Sequence, residues 1–190
     1  MTSSKIRPWQ IVETGVIYSA PPWIKLYRQK VLLPNGREVD DYHKINLVDY
    51  AGVVAATTEG KFIFERLYKH GVGGVTLTLP GGAIETGEAP LGAVQRELLE
   101  ETGYVAEDWQ TLGSFVCDGN YGCGRAHLFQ ASKARRIRDP QSGDLEEMEI
   151  VFLTPEEVLE SLRLGLFAVL GVATAVALAF NSGLVRNPIK

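Results

Sequence analysis

The chain has 190 residues, 45% hydrophobic and 22% charged, which is the balance of an ordinary globular domain with a sizeable core. Its 23 acidic and 19 basic side chains leave a net charge of −4, which argues against a protein that coats nucleic acid or an anionic membrane. Cys117 and Cys123 are too few for a disulfide framework or a four-ligand zinc site, and "MTSSKIRPWQ" holds no apolar signal core, so a cytoplasmic protein with reduced thiols is expected.

The first predicted elements are two alternating runs, "WIKLYRQKVLL" and "REVDDYHKINL", joined by the turn "PNG" at Pro34 to Gly36, a β-hairpin pattern. "DYAGVVAATT" and "KFIFERLY" are rich in β-branched and aromatic residues and are separated by Glu59-Gly60, so they read as a second pair of strands. "GVGGVTLTLPGG" combines a short strand with a glycine-rich loop able to approach a ligand closely. A helix follows, with Pro90 at its first position, Leu91, Val94 and Leu98 on its buried side and Gly103 as its stop.

Further on, "LGSFVC" and "AHLFQA" read as strands around the loop "DGNYGCGR", and the polar segment from Ser132 to Gly143 as an exposed loop. "EIVFL" is a short strand, and "TPEE" starts a helix with Thr154 as N-cap, Pro155 at the first position and Glu157 closing a capping box. Leu164 to Phe180 gives 17 consecutive uncharged residues, at the lower limit for a membrane span. Leu166, Val169, Leu170, Val176 and Phe180 on one side and Ala168, Gly171, Ala175 and Ala179 on the other suit a helix packed between protein surfaces, so no membrane partner is expected. His43, His70 and His127 lack metal-ligand spacing, and the basic run "KARRIRD" reads as a solvated loop, with no nucleic-acid partner expected.

The stretch "RELLEETG" sets Glu97, Glu100 and Glu101 on one helical face. Each like-charge pair costs about 0.2–0.5 kcal/mol, and acids in the last turn oppose the helix dipole by about 0.3–1 kcal/mol. Such a face beside a glycine-rich loop offers the oxygen ligands that a hard cation such as Mg²⁺ takes when it bridges carboxylates to phosphates.

From Gly82 the chain runs "GAIETGEAPLGAVQRELLEETGY". This resembles the signature box of the Nudix hydrolases: Gly82, Glu88, Arg96-Glu97, an aliphatic Leu98, Glu100-Glu101 and Gly103 stand at the family's spacing, with Tyr104 where the family usually has an aliphatic residue. The resemblance implies an α/β fold, an α/β/α sandwich around a mixed sheet. "LPGG" and "EETGYVAEDWQTLGSF" look most like the ADP-ribose pyrophosphatase branch, whose members often carry an N-terminal β-hairpin region used in dimer formation. Residues 1–48 would fit that role in a homodimer, with 49–190 as the Nudix domain and its C-terminal packing helix.

The implied activity is Mg²⁺-dependent hydrolysis, with Mn²⁺ as a substitute, of the diphosphate bond of ADP-ribose or a related nucleoside diphosphate sugar. By match to the motif, Glu97, Glu100, Glu101 and the backbone carbonyl of Gly81 are the metal ligands, while Gly82, Glu88, Arg96 and Gly103 frame the loop and helix. In this branch the general base comes from a loop before a late strand, where "GDLEEMEI" offers Glu146 first and Glu147 second. Lys69 falls where similar proteins have a phosphate-touching arginine; Arg28 and Arg125 are further phosphate candidates, and Trp23 or Trp9 would stack a base. Gly119 stands where ADP-ribose-type members tend to have proline, which leaves another adenine dinucleotide open. The competing reading is a sensor that binds such a nucleotide without cleaving it.

Overall fold

A computed structural model of the chain describes residues 6–141, 143 and 147–181. The chain divides into two compact units, Met1–Val48 with Val116–Arg125, and Asp49–Phe115 with Ala126–Lys190.

The first unit is an antiparallel meander of β1 (Gln10–Ala20), β2 (Ile24–Leu32) and β3 (Glu38–Leu47). The expected hairpin is β2 and β3, turned at Gly36, whose φ of +85° and hydrogen bond to the Leu33 carbonyl require the conformational freedom of glycine. Lys30 on β2 ties the pair to β3 through Glu38 at 2.7 Å and Asp40 at 3.4 Å, and both carboxylates raise the Lys30 pKa. Tyr42 donates to the Asn120 carbonyl at 2.7 Å and meets Trp9 edge to face at 5.4 Å. Strand β1 was not expected from the sequence. It lies at the rim of the meander with its apolar residues exposed, Ile11, Val12, Val16, Ile17 and Tyr18 each by 51–56%, and two bulges break its alternation.

The second unit contains β4 (Tyr50–Thr57), β5 (Phe62–Lys69), β6 (Gly74–Thr78), β7 (Gly81–Ala83), α1 (Pro90–Thr102) and β8 (Tyr104–Val105). After β9 (Asp108–Asp118) and β10 (Gly122–Arg136), strands that run through both units, it adds β11 (Met148–Leu153), α2 (Pro155–Arg163) and α3 (Leu170–Ala179). Its sheet has the order β10-β4-β5-β11, parallel between β10 and β4 and antiparallel elsewhere, with β7 on β4, β6 on β5, and β8 and β9 on β10. Alternation along β4 serves both faces: Ala51, Val53 and Ala55 pack against Ala93, Val94 and Leu98 of α1, whereas Val54 and Ala56 face a cavity shared with Ala179 of α3. The result is an α/β fold with a mixed sheet between helical layers.

Three expectations change. Val94 and Leu98 are buried on α1, but Leu91 is 40% exposed and Ala93 takes its place in the core. Residues 132–136 continue β10, because Arg135 and Arg136 pair with β8, so the polar segment is strand in its first part. The apolar C-terminal run is not one helix. Gly165, at φ +70°, ends the α2 region, and the Leu166 carbonyl accepts from the Leu77 N–H at 3.3 Å and the Thr76 hydroxyl at 2.9 Å. The helix therefore starts only at Leu170, whose side chain is 75% exposed, and it buries Ala175 and Val176. Among the described residues no helix is long and apolar enough to cross a membrane.

Candidate active site

The site is built where β7 turns into α1. The Pro80 carbonyl accepts from the Val53 N–H at 3.0 Å, and Gly81 pairs with Gly52 in the β4 ladder. Gly81 has φ +153°, and a Cβ there would collide with the Ala51 carbonyl and the Gly52 Cα, so only glycine lets the two backbones approach. At Gly82 the missing Cβ makes room for something else. The Glu97 carboxylate occupies the space, with Oε1 only 2.5 Å from where a Cβ would stand.

Helix α1 begins with Pro90 at its first turn, its Ala89 cap offering no side-chain bond, and ends at Gly103 in the left-handed conformation at φ +77°. The Gly103 carbonyl then accepts the Ile137 N–H at 2.9 Å, which ties the helix end to the chain after β10. This places Arg96, Glu97, Glu100 and Glu101 on the last two turns, over β7.

Arg96 binds Glu88 as a fork, Nε to Oε1 and Nη2 to Oε2, both at 3.1 Å, and Nη1 donates to Glu97 at 2.8 Å and to Glu100 at 3.1 Å. Nη2 also donates to the Ala83 carbonyl at 3.3 Å, so one guanidinium spans the loop and the helix. Its hydrogen bonds to Glu88, with those to Glu97 and Glu100, raise the Arg96 pKa further. The Glu88 carboxyl is lowered by Arg96 first and by the Glu85 N–H second. Arg96 thus offsets the repulsion that the crowded acids would otherwise suffer.

Glu101 is different. It is 8% exposed, its Oε2 accepts the Gly81 N–H at 2.7 Å, and its pKa is pushed up to about 10, by burial first, then by the charge of Glu65, with Glu97 adding to it and the Gly81 bond opposing it. Glu65, on β5, is 2% exposed and is hydrogen-bonded to Glu101. It carries no motif and was not singled out from the sequence. The available signal was its phase: Ile63, Glu65, Leu67 and Lys69 alternate onto one face of β5, which places an acid in line with a core residue and with Lys69.

Glu97, Glu101, Gly81, Gly82, Ala83, Leu67, Lys69 and Met148 line one cavity of about 280 Å³. A second, of about 140 Å³, shares Lys69, Gly81 and Glu101 with it and is walled further by Tyr50, Glu65, Thr78 and Val172. Glu100 lines neither; its side chain is turned to Arg96 and its carbonyl accepts the Gln141 N–H at 2.7 Å. Among the described residues no three acidic, histidine or cysteine side chains converge on a point that would hold a metal ion. The donor chemistry nevertheless fits a hard divalent cation: two carboxylates, one of them poor in water and beside further acids, open into one cavity with a glycine backbone.

Of the remaining candidates, Lys69 is half-buried at the end of β5 and lines both cavities. Glu147 is exposed just before β11, and Glu146 lies outside the described residues. Glu149, within β11, pairs with Arg66 at 2.8 Å. Trp23, Arg28 and Arg125 belong to the first unit, where Trp23 is 71% exposed and Arg28 sits in the ladder between Gly15 and His43.

A family model described as a NUDIX domain matches residues 47–169. The chain belongs to the Nudix hydrolase family. Nudix hydrolases generally use a divalent metal, in keeping with the donor set around Gly81. An ADP-ribose pyrophosphatase of Bacillus subtilis is 30% identical over 141 residues, which cover 72% of this chain and 74% of the relative. A methanol dehydrogenase activator of Bacillus methanolicus is 30% identical over 156 residues, covering 80% and 82%. An ADP-sugar pyrophosphatase of Mus musculus is 26% identical over 168 residues, covering 80% and 77%. In fold, the chain superposes on the crystal structure of an ADP compounds hydrolase with a TM-score of 0.82 at 18% identity, over 95% of this chain and 98% of the other.

Proposed function

We propose that the protein is a Mg²⁺-dependent pyrophosphatase that splits ADP-ribose or a related nucleoside diphosphate sugar into a nucleoside monophosphate and a sugar phosphate. The observation that carries this reading is the single cavity in which Glu97, Glu101 and the Gly81–Gly82 backbone meet Lys69. The pyrophosphatase relatives from Bacillus subtilis and Mus musculus support the substrate class.

In this reading Glu97, Glu101 and the Gly81 carbonyl hold the metal, Glu100 joins them once released from Arg96, and Mn²⁺ substitutes for Mg²⁺. The bound cation would neutralise phosphate charge and acidify a water. Arg96 and Glu88 keep α1 over the loop, Lys69 binds a phosphate oxygen as a point charge, and Glu146 or Glu147 takes the proton of the attacking water. Trp23 and Arg28, with Arg125, are proposed contacts to the rest of the substrate. We further propose a homodimer formed through the first unit, supported by the exposed apolar residues of β1. The protein would act in the cytoplasm, a compartment that keeps thiols such as Cys117 and Cys123, which form no disulfide, reduced.

The test is a panel of nucleoside diphosphate sugars and adenine dinucleotides incubated with Mg²⁺ and scored for monophosphate release. ADP-ribose or a nucleotide sugar should be cleaved, with activity lost in EDTA and restored by Mg²⁺ or Mn²⁺. Tight binding of such a compound with no cleavage would favour a sensor and reject the hydrolytic reading.

A further inference from the structure

Glu65 stands on β5 directly across from Thr78 of β6, and both are buried, at 2% and 6% exposure. The Thr78 hydroxyl faces Glu65 Oε2 at 3.5 Å and the Leu79 carbonyl at 3.3 Å, and Glu65 in turn is hydrogen-bonded to the Glu101 side chain. The three groups line the smaller cavity, on which Gly81 also opens. A carboxyl buried in a sheet is unfavourable, and a leucine of similar volume, in phase with Ile63 and Leu67, would serve the core better. Glu65 therefore costs stability at a position where packing alone asks for an apolar residue, and what it touches is the innermost acid of the site.

We propose that Glu65 is a positioning residue: facing Thr78 across the strand pair, its carboxyl group holds Glu101 in the orientation in which Oε2 takes the Gly81 N–H and the side chain opens onto the larger cavity. This rests on the reading of Glu101 as a metal ligand. Groups that orient ligands in this way govern affinity by about 10- to 100-fold when removed.

The experiment titrates Mn²⁺ into the protein without substrate, following free Mn²⁺ by electron paramagnetic resonance, and then measures kcat and KM on whichever nucleotide the panel identifies. Glu65→Leu should weaken Mn²⁺ binding by about 10- to 100-fold and lower kcat with KM for the nucleotide unchanged, whereas Glu65→Gln, which keeps the volume and a hydrogen-bonding amide, should stay within about threefold of the parent. A folded Glu65→Leu protein that binds Mn²⁺ like the parent overturns the proposal, and so does equal weakening by Gln and Leu, which would make the effect one of charge alone. If Glu65→Leu does not fold, Thr78→Val decides: it removes the hydroxyl that faces the Glu65 carboxyl and should weaken Mn²⁺ binding severalfold, and unchanged affinity overturns the proposal. Glu101→Gln separates the two readings. Unchanged Mn²⁺ affinity there rejects Glu101 as a ligand, while a loss there with none in the Glu65 and Thr78 variants rejects only the positioning role.

Discussion

Glu101 keeps its carboxyl where folding makes ionisation unfavourable, and this has a measurable consequence for stability. Its pKa in the folded, metal-free protein is about 10 against an ordinary 4.5, so the native state holds a proton that the unfolded chain has already released over the interval between them. The stabilisation is complete below about pH 4.5 and is lost as pH rises toward 10. In EDTA, the urea midpoint of the parent protein should fall between pH 6 and pH 9, and that of Glu101→Gln should stay nearly level; parallel curves would remove Glu101 as the source. A saturating divalent cation favours the ionised form and should flatten the parent curve as well. The same variant should keep its fold and lose turnover by at least about two orders of magnitude.

Within single elements, the two adjacent glycines of the loop differ in what surrounds them. A Cβ at Gly81 meets the backbone of β4, which cannot move without breaking the β4–β7 ladder, so Gly81→Ala should cost roughly 2–4 kcal/mol of stability. A Cβ at Gly82 meets the far end of the Glu97 side chain, so Gly82→Ala should fold and lose about tenfold or more in Mn²⁺ affinity. Chemical denaturation and Mn²⁺ titration of the two variants would distinguish these outcomes.

The same contrast explains what was legible in the sequence. Helix α1 is written in local chemistry, Pro90 at one end and Gly103 at the other, and the i, i+4 spacing of Glu97 and Glu101 puts both on one cavity. Glu65 reaches Glu101 only through the pairing of distant strands, which no spacing records. Strand β1 escaped because it buries neither face, and the start of α3 because Val169 offers no capping side chain.

At the level of the whole molecule, the exposed apolar residues of β1 are the surface on which the proposed homodimer can be tested. If the first unit forms the proposed homodimer, Ile17→Lys should reduce the sedimentation mass to that of a 20.8 kDa chain at micromolar concentration, while far-UV circular dichroism stays unchanged. A parent protein that sediments as a monomer over the same range would reject the dimer.

The Thr76 hydroxyl donates to the Leu166 carbonyl and accepts the Ala168 N–H at 3.1 Å, so one small side chain holds the segment between α2 and α3 to strand β6. The partners lie 90 and 92 residues apart in the chain, and the contact can form only once β6 has found its place on β5. A contact of such long sequence separation is expected to form on the downhill side of the folding barrier. Replacing Thr76 with valine should therefore leave the refolding arm of a stopped-flow chevron in place and raise the unfolding arm, making this hydroxyl a brake on the release of the C-terminal helix rather than a guide to its arrival.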